Sequence, residues 1–201
     1  MASTAALNYL TAAVRVRTLR EAATDGRLPR KIQTEKQVFY HAALAGYVAA
    51  WDAYINNLVR AFYIEIEEPR NTNFQAVYSI SRQASERALD RFNTPNAENT
   101  RALLQLYTGY DPIGDWVWTR RGMVGVQVRE RLNEILRVRH SFAHGFAVPG
   151  YDWTQSPSGQ VRLTSKVIRD TEAFFNNLVR VTDNGMRKHI QLTFGIAIAW
   201  H

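Results

Sequence analysis

The sequence predicts an all-α protein that folds as a helical bundle with short extra helices. Apolar residues recur at three- and four-residue intervals over most of the 201-residue chain, which places them on one face of an α-helix. Glycine or proline follows most of these segments, where a helix is expected to end. Each apolar face must be covered by another helix, so the helices are expected to pack together. A chain of this length can form one domain over residues 1–201, with a core at about residues 35–190.

The first two predicted helices cover the N-terminal third of the chain. The first spans about residues 5–24, is expected to pack on the core and to end before Gly26, and includes Leu7, Leu10 and Val14. The second has the longest apolar stripe in the sequence, formed by Tyr40, Leu44, Val48, Trp51, Ile55, Leu58 and Phe62. This stripe makes the second helix the most clearly predicted element.

Two shorter helices are predicted next. One carries, at helical spacing, Val77, Ala84, Ala88 and Phe92. The other is expected to begin with Thr94 as its N-cap and Pro95 at the first helical position, where the amide hydrogen that proline lacks is not needed. It is expected to end at Gly109, and residues 110–122 are expected to form a loop.

Two longer helices are predicted in the C-terminal half. The first is ended by Gly145 and has on one face Val124, Val128, Leu132, Ile135 and Phe142. Residues 161–165 are expected to form a short extended segment. The last helix is expected to begin near Asp170 and to carry Phe175, Leu178 and Met186. No structure is assigned to residues 191–201.

The composition favours a nucleic-acid partner and excludes cysteine chemistry. The formal net charge is +7 and the isoelectric point is about 9.9. Most of the positive charge comes from arginine, whose planar guanidinium fits phosphate. An excess of positive charge is typical of proteins that bind nucleic acids. The chain contains no cysteine, which excludes disulfide bonds, thiol catalysis and cysteine-bound metal.

Neither membrane attachment nor a cofactor is expected. Arg15, Arg17 and Arg20 interrupt the N-terminal segment, where a signal peptide requires an unbroken apolar stretch. No apolar run in the sequence, including residues 195–200, approaches the ~20 residues that span a bilayer. We therefore expect a soluble cytoplasmic protein.

The segment from Arg137 to Gly145, Arg-Val-Arg-His-Ser-Phe-Ala-His-Gly, is the chemically most specific part of the chain. An arginine can hold a phosphate and stabilise its developing charge, and a histidine titrates near neutral pH and can transfer a proton. Arg139 and His144 are five positions apart, and so about 140° apart on a regular helix. They can converge only where the helix ends, which Gly145 indicates. Such a pair suits phosphodiester cleavage without a metal ion.

Residues 139–145 resemble the signature of the HEPN superfamily, in which an arginine and a polar residue, usually asparagine, precede a histidine. Here a histidine stands at the polar position, and the ending Ala-His-Gly is frequent in the superfamily. Residues 41–54 resemble the early helix of RiboL-PSP-type HEPN domains, and residues 93–96 with 103–109 resemble their middle segment. The resemblance covers about residues 35–185 in the order of these segments.

This resemblance implies a fold, an activity and partners. HEPN domains are up-and-down helical bundles that form homodimers, and their two motifs meet in a cleft that cleaves RNA without a metal ion. By this resemblance Arg139 stabilises the transition state and His144 is the general acid or base when the ribose 2′-hydroxyl attacks the adjacent phosphate. The product is a 2′,3′-cyclic phosphate. The residues that would bind substrate or support the site are His140, Ser141 and Arg137. Many relatives are toxins or antiviral defence effectors, so an antitoxin or another defence protein is an expected partner.

The motif arginine and the activity both have alternatives. Arg137 lies seven positions before His144, and therefore on nearly the same helical face, so it can replace Arg139 as the motif arginine. The same arginines can hold RNA or a protein partner without catalysis. A non-catalytic binding module is therefore the main alternative function.

A metal site is a further alternative. His140 and His144 have the spacing of zinc ligands on a helix. His41 or Glu134 would then be the third ligand of a metal-dependent hydrolase.

Three other positions have a functional and a structural interpretation. Asp52 either braces Arg139 or His144 from a neighbouring helix or is a solvated residue. The same two interpretations apply to Tyr54. The tryptophans and arginines of residues 116–121 either stack on bases and hold phosphates or pack into the core.

Overall fold

The structure is a computed structural model that describes residues 2–27, 29, 31–68, 71–156, 158–198 and 200. In these residues the chain is all-α, which confirms the predicted fold class. Two 3₁₀-helices, Pro112–Gly114 and Thr119–Arg121, lie in one connection. The α-helices are Thr4–Ala22 (α1), Gln33–Glu65 (α2), Thr72–Leu89 (α3), Ala97–Thr108 (α4), Gly125–Ala143 (α5) and Ser165–Phe194 (α6). Among the residues described, no helix combines the length and the apolar character needed to cross a bilayer.

Helix α2 is the centre of the bundle. It has 33 residues, which corresponds to about 50 Å at 1.5 Å per residue, and it contacts each of the other five helices. Its predicted stripe is buried. The ring of Trp51 lies against Trp116 and Phe175, and its indole nitrogen donates to the carbonyl of Pro95 (3.1 Å). Apolar burial and this hydrogen bond hold the middle of the chain on α2.

Helix α1 packs against α2 and α6 through mostly small side chains. Its buried residues are Ala5, Ala6, Tyr9 and Ala13. The approach to α2 is close, because a Cβ added to Gly46 would lie 2.8 Å from a methyl of Val16. The apolar residues that predicted this helix are instead exposed, namely Leu7, Leu10 and Val14. Small residues therefore dominate the buried face of α1 and allow the two backbones to approach.

One buried carboxylate fixes the start of α1. The Ser3 hydroxyl caps the helix by accepting from the amide of Ala6 (3.0 Å). The amide of Ser3 donates to Asp183 of α6 (2.9 Å), and so does its hydroxyl. Tyr54 of α2 donates to the same carboxylate (3.4 Å). Burial raises the pKa of Asp183, and the bonds from Ser3 act in the opposite direction. Asp183 thus joins α1, α2 and α6.

Two more polar contacts join α1 to the same face of α6. The Tyr9 hydroxyl donates to the side-chain carbonyl of Asn176 (3.0 Å). Arg17 and Arg20 donate to the carboxylate of Glu172 at 3.0 and 3.3 Å. Positions 172, 176 and 183 are separated by four and seven residues, and therefore share one helical face.

Helix α4 begins two residues later than predicted. Its N-cap is Asn96, whose side chain accepts from the amide of Asn99 (2.7 Å), and not Thr94. Asparagine caps a helix at least as well as threonine. Pro95 therefore precedes the helix, and its carbonyl is free to accept from Trp51.

Helix α6 begins five residues before its predicted start at Asp170. Thr164 is the N-cap and accepts from the amide of Val167 (3.2 Å). Of the extended segment predicted at 161–165, Ser165 instead begins α6, whereas the backbone of Thr164 is extended and Val161 forms an isolated β-bridge with Gln155. The helix continues to Phe194, into the part of the chain that had no predicted structure.

The C-terminal tail returns to the body of the protein. Trp200 is buried, and its indole nitrogen donates to the carboxylate of Glu65 at the end of α2 (3.2 Å). Ala199 and His201, which belong to the same unassigned tail, lie outside the described residues.

Helix α6 passes the loop after α4 at a glycine. The hydroxyl of Tyr110 donates to the carboxylate of Asp115 (2.8 Å). A Cβ at Gly185 would lie 1.9 Å from that hydroxyl oxygen and 2.2 Å from the Asp115 oxygen. No side chain larger than a hydrogen atom fits at this position without moving the pair.

Gly185→Ala is expected to destabilise the fold by about 1–3 kcal/mol, because the added methyl group must displace the Tyr110–Asp115 pair. Urea denaturation measures the change. Gly26→Ala is the matched control, since nothing lies within 4 Å of its added carbon, and it should shift the free energy of unfolding by less than about 0.5 kcal/mol. Equal stability of the two variants would contradict the close approach.

Candidate functional site

The segment 137–145 lies at the C-terminal end of α5, where its backbone closes the helix. The amide of Phe146 donates to the carbonyl of Ser141 (2.8 Å), and that of Gly145 to the carbonyl of Phe142 (3.2 Å). This is the Schellman arrangement. Gly145 has a φ of +70°, a left-handed conformation that costs other residues about 1–2 kcal/mol. The glycine thus ends the helix and leaves His144 as its C-cap.

The structure brings His140 and His144 together. Their ring centres are 4.2 Å apart, and the ring of Phe146 lies 6.4 Å from the first and 6.0 Å from the second. All three side chains are exposed. Within the described residues neither imidazole is hydrogen-bonded, so both are open to a ligand.

Arg139 lies near Asp52 of α2. Burial raises the pKa of the Asp52 carboxyl, and the positive charge of Arg139 acts in the opposite direction. The Oδ1 atom of this carboxylate is buried without a hydrogen bond. Arg139 is exposed and forms no hydrogen bond or ion pair with the residues that the structure describes, and none joins it to His144. Asp52 is therefore an electrostatic neighbour of Arg139, not a hydrogen-bonded partner.

Arg137 lies beside Tyr151 of the loop that follows α5, and this neighbour raises the pKa of its guanidinium. The hydroxyl of Ser141 donates to the backbone carbonyl of Arg137 (2.9 Å), and this side chain is buried. The hydroxyl of Ser141 is therefore hydrogen-bonded within α5. Of the two candidate arginines, Arg139 lies near a carboxylate and Arg137 lies near a tyrosine.

His41 of α2 supports the segment in a way that the sequence did not predict. Its ring stacks on Phe142, with the centres 4.2 Å apart and the planes 2° apart. It is buried, burial lowers its pKa, and its Nδ1 atom has no hydrogen-bond partner. His41 and Asp52 are eleven positions apart, which is a rotation of only about 20° on a helix. This spacing could have indicated from the sequence that both residues lie on one side of α2, which is the side that faces α5.

The metal interpretation required a third ligand beside His140 and His144. Glu134 instead accepts from the indole nitrogen of Trp153 (2.8 Å), and His41 is stacked on Phe142. In the described ranges no three histidine, aspartate or glutamate side chains come close enough to hold a metal ion.

Two aromatic candidates belong to the core. Tyr54 is buried, and its hydroxyl donates to the carbonyl of Val179 (3.3 Å). Trp116 is fully buried and donates to the hydroxyl of Thr182 (2.9 Å). Both interpretations of Tyr54, a brace for Arg139 or His144 and a solvated residue, are therefore wrong, and Trp116 does not stack on bases, because the bundle covers these rings.

Comparison of the chain with protein-family models, with curated proteins and with solved structures found no match. The functional interpretation of the segment therefore depends on three features of the chain itself. They are the exposed imidazole pair, the available guanidinium of Arg139 and the neighbouring carboxylate of Asp52.

The buried imidazole of His41 makes the fold sensitive to acid. Its pKa is lowered in the folded chain, so the stability that its neutral form contributes is present above the unfolded pKa of about 6.5 and is lost as the pH falls through the folded pKa. His41→Phe keeps a ring against Phe142 but does not titrate, so it should lose less stability than the wild type on acidification.

Urea denaturation of both chains at about pH 8 and about pH 5.5, on either side of the histidine pKa, measures this difference. Groups that titrate in both chains cancel in the comparison. The same loss of stability in both chains would contradict a buried neutral His41.

Proposed function

We propose that this chain is a metal-independent endoribonuclease of the HEPN type that acts as a homodimer, with the C-terminal end of α5 as its site. The observation that carries the proposal is that Arg139, His140 and His144 are exposed at one helix end. None of them has a side-chain hydrogen bond or ion pair within the described residues. The net charge of +7 supports RNA as the substrate.

The proposed reaction is attack by a ribose 2′-hydroxyl on the adjacent phosphorus. The bond from phosphorus to the 5′-oxygen of the next nucleotide breaks, which leaves a 2′,3′-cyclic phosphate and a 5′-hydroxyl. His144 removes the proton of the 2′-hydroxyl or supplies one to the leaving oxygen. Arg139 donates to the phosphate oxygens as their negative charge increases. DNA lacks the 2′-hydroxyl and is therefore not a substrate.

One chain by itself provides an incomplete site. In an in-line displacement the attacking and leaving oxygens lie on opposite sides of the phosphorus, whereas His140 and His144 lie side by side. Arg139 is about 140° away from His144 around the helix. A second copy related by a two-fold axis would supply an equivalent set of groups on the far side of the phosphate.

The surface around the segment suits such a second copy. Phe142 is 42% exposed and Phe146 is 64% exposed, and Val38, one turn before His41 on α2, is 57% exposed. Exposed apolar side chains grouped beside a site are typical of an interface.

The second candidate function is a non-catalytic module that binds RNA or a protein. It is favoured by the lack of any hydrogen bond between Arg139 and His144 within one chain, and it applies if the chain remains a monomer. A toxin or antiviral defence role, with an antitoxin or another defence protein as partner, is proposed for the catalytic form only.

The wild-type chain is expected to cleave single-stranded RNA in the presence of a chelator and to leave a DNA strand of the same sequence intact.

His144→Ala should lower the rate of RNA cleavage by about 10²–10⁴, the usual contribution of a general acid or base. Arg169→Ala, which removes an exposed arginine of α6, is the charge-matched control for Arg139→Ala and should retain cleavage. Gel analysis measures the rates, and circular dichroism checks the fold of each variant. Binding of RNA without cleavage would favour the non-catalytic module.

A mixture of Arg139→Ala and His144→Ala chains is expected to recover part of the activity that each variant lacks alone. In a mixed dimer one chain supplies the arginine and the other the histidine. Cleavage is measured after the two chains are unfolded and refolded together, with each variant refolded alone as the control. Full activity of a wild-type monomer at micromolar concentration would rule out the composite site.

A further inference from the structure

A cleft of about 750 Å³ lies on the other half of α5, within the ~300–1,000 Å³ range of small-molecule sites. It is bounded by α5 from Gln127 to Ile135, by the start of α6, by the turn at 118–123 and by loop residues 152–156 and 162–164. Every α5 residue that lines it precedes Arg137. The cleft is therefore separate from the exposed helix end.

Two arginines lie over tryptophan rings in this cleft. The guanidinium of Arg131 is 5.1 Å from the ring centre of Trp153, and that of Arg121 is 5.5 Å from the ring centre of Trp118. A guanidinium held over an indole by a cation–π interaction can still donate from its N–H groups to an oxyanion, although Arg121 already donates to Asp170 (2.6 Å).

Two of the cleft's arginines have donors without acceptors. The Nε atoms of Arg131 and Arg162 are buried and have no hydrogen-bond partner. Glu134 lies 3.5 Å from the Nε of Arg131, but the same oxygen accepts from Trp153 at 2.8 Å. A buried donor without an acceptor is costly. A ligand with several negative oxygens would satisfy both arginines, and the exposed Lys166 adds a third positive charge.

The carboxylates of the cleft restrict what the rest of the ligand can be. Asp170 is already paired with Arg121 (2.6 Å), whereas Glu130 and Asp152 are exposed and form no ion pair within the described residues. These two would repel a ligand that is anionic throughout, but they accept hydrogen bonds from hydroxyl groups. Both tryptophan rings already carry an arginine on one face, so the cleft favours a polyol over a flat aromatic base.

We propose that this cleft binds a free phosphorylated polyol, such as a sugar phosphate. The phosphate occupies the space between Arg131 and Arg162, and the hydroxyl groups donate to Glu130 and Asp152. The same chemistry also occurs in the ribose phosphates of an RNA chain, and the test separates the two sources. Binding is measured directly and does not depend on whether the chain cleaves RNA.

Isothermal titration calorimetry with ribose 5-phosphate and glucose 6-phosphate tests the proposal. At least one should bind at one site per chain, more tightly than inorganic phosphate and more tightly than the unphosphorylated sugar. Arg131→Gln and Arg162→Gln should each weaken binding by about tenfold or more, the scale of one charge-assisted hydrogen bond. Arg169→Gln removes an exposed charge of α6 that does not line the cleft, and should bind as the wild type does. If Arg131→Gln does not fold, Lys166→Gln replaces it.

Three results would overturn the proposal. The first is no binding of either sugar phosphate at millimolar concentration. The second is equal binding by the Arg162→Gln and Arg169→Gln chains. The third is tighter binding of the dinucleoside phosphodiester ApA than of either sugar phosphate, which would assign the cleft to RNA.

Discussion

The fold depends on the burial of the apolar face of α2, because every other helix packs against it. Its aromatic residues form the middle of the core, and Trp51 is covered from two sides by Trp116 and Phe175. Helix α2 also supports the candidate site at the end of α5. His41 stacks on Phe142, and Asp52 lies near Arg139, so α2 contacts the end of α5 at two positions about three turns apart. A change that moves α2 is therefore expected to move the candidate site as well.

A second constraint is electrostatic. A buried carboxylate is costly unless hydrogen bonds compensate it, and Asp183 receives bonds from Ser3 and Tyr54. Since Ser3 is also the N-cap of α1, the same residue starts the first helix and attaches it to α6. The mainly small apolar residues of α1 bury little surface, so polar contacts have a larger share in holding this helix than in the rest of the bundle.

Helix α5 contributes to two candidate sites. Its C-terminal end exposes an imidazole pair and the guanidinium of Arg139, and its N-terminal half lines a cleft in which arginines lie over tryptophan rings. The loop after α5 touches both. Tyr151 lies beside Arg137 at the helix end, and its ring lies parallel to that of Trp153 in the cleft (6.1 Å, 5°). This loop thus connects the two regions of α5.

The sequence by itself determined the helices and the stop at Gly145, because these depend on local spacing and on backbone conformations that only glycine adopts readily. It also singled out the segment that carries arginines and histidines. Only the tertiary structure decided the environment of each side chain. That Asp52 lies near Arg139, that His41 stacks on Phe142 and that Trp116 belongs to the core all follow from contacts between segments distant in sequence. The apolar period of one helix specifies which of its faces is buried, but not which other helix or loop covers that face. The covering segment determines the neighbouring charges, the hydrogen-bond partners and the exposed fraction of each side chain.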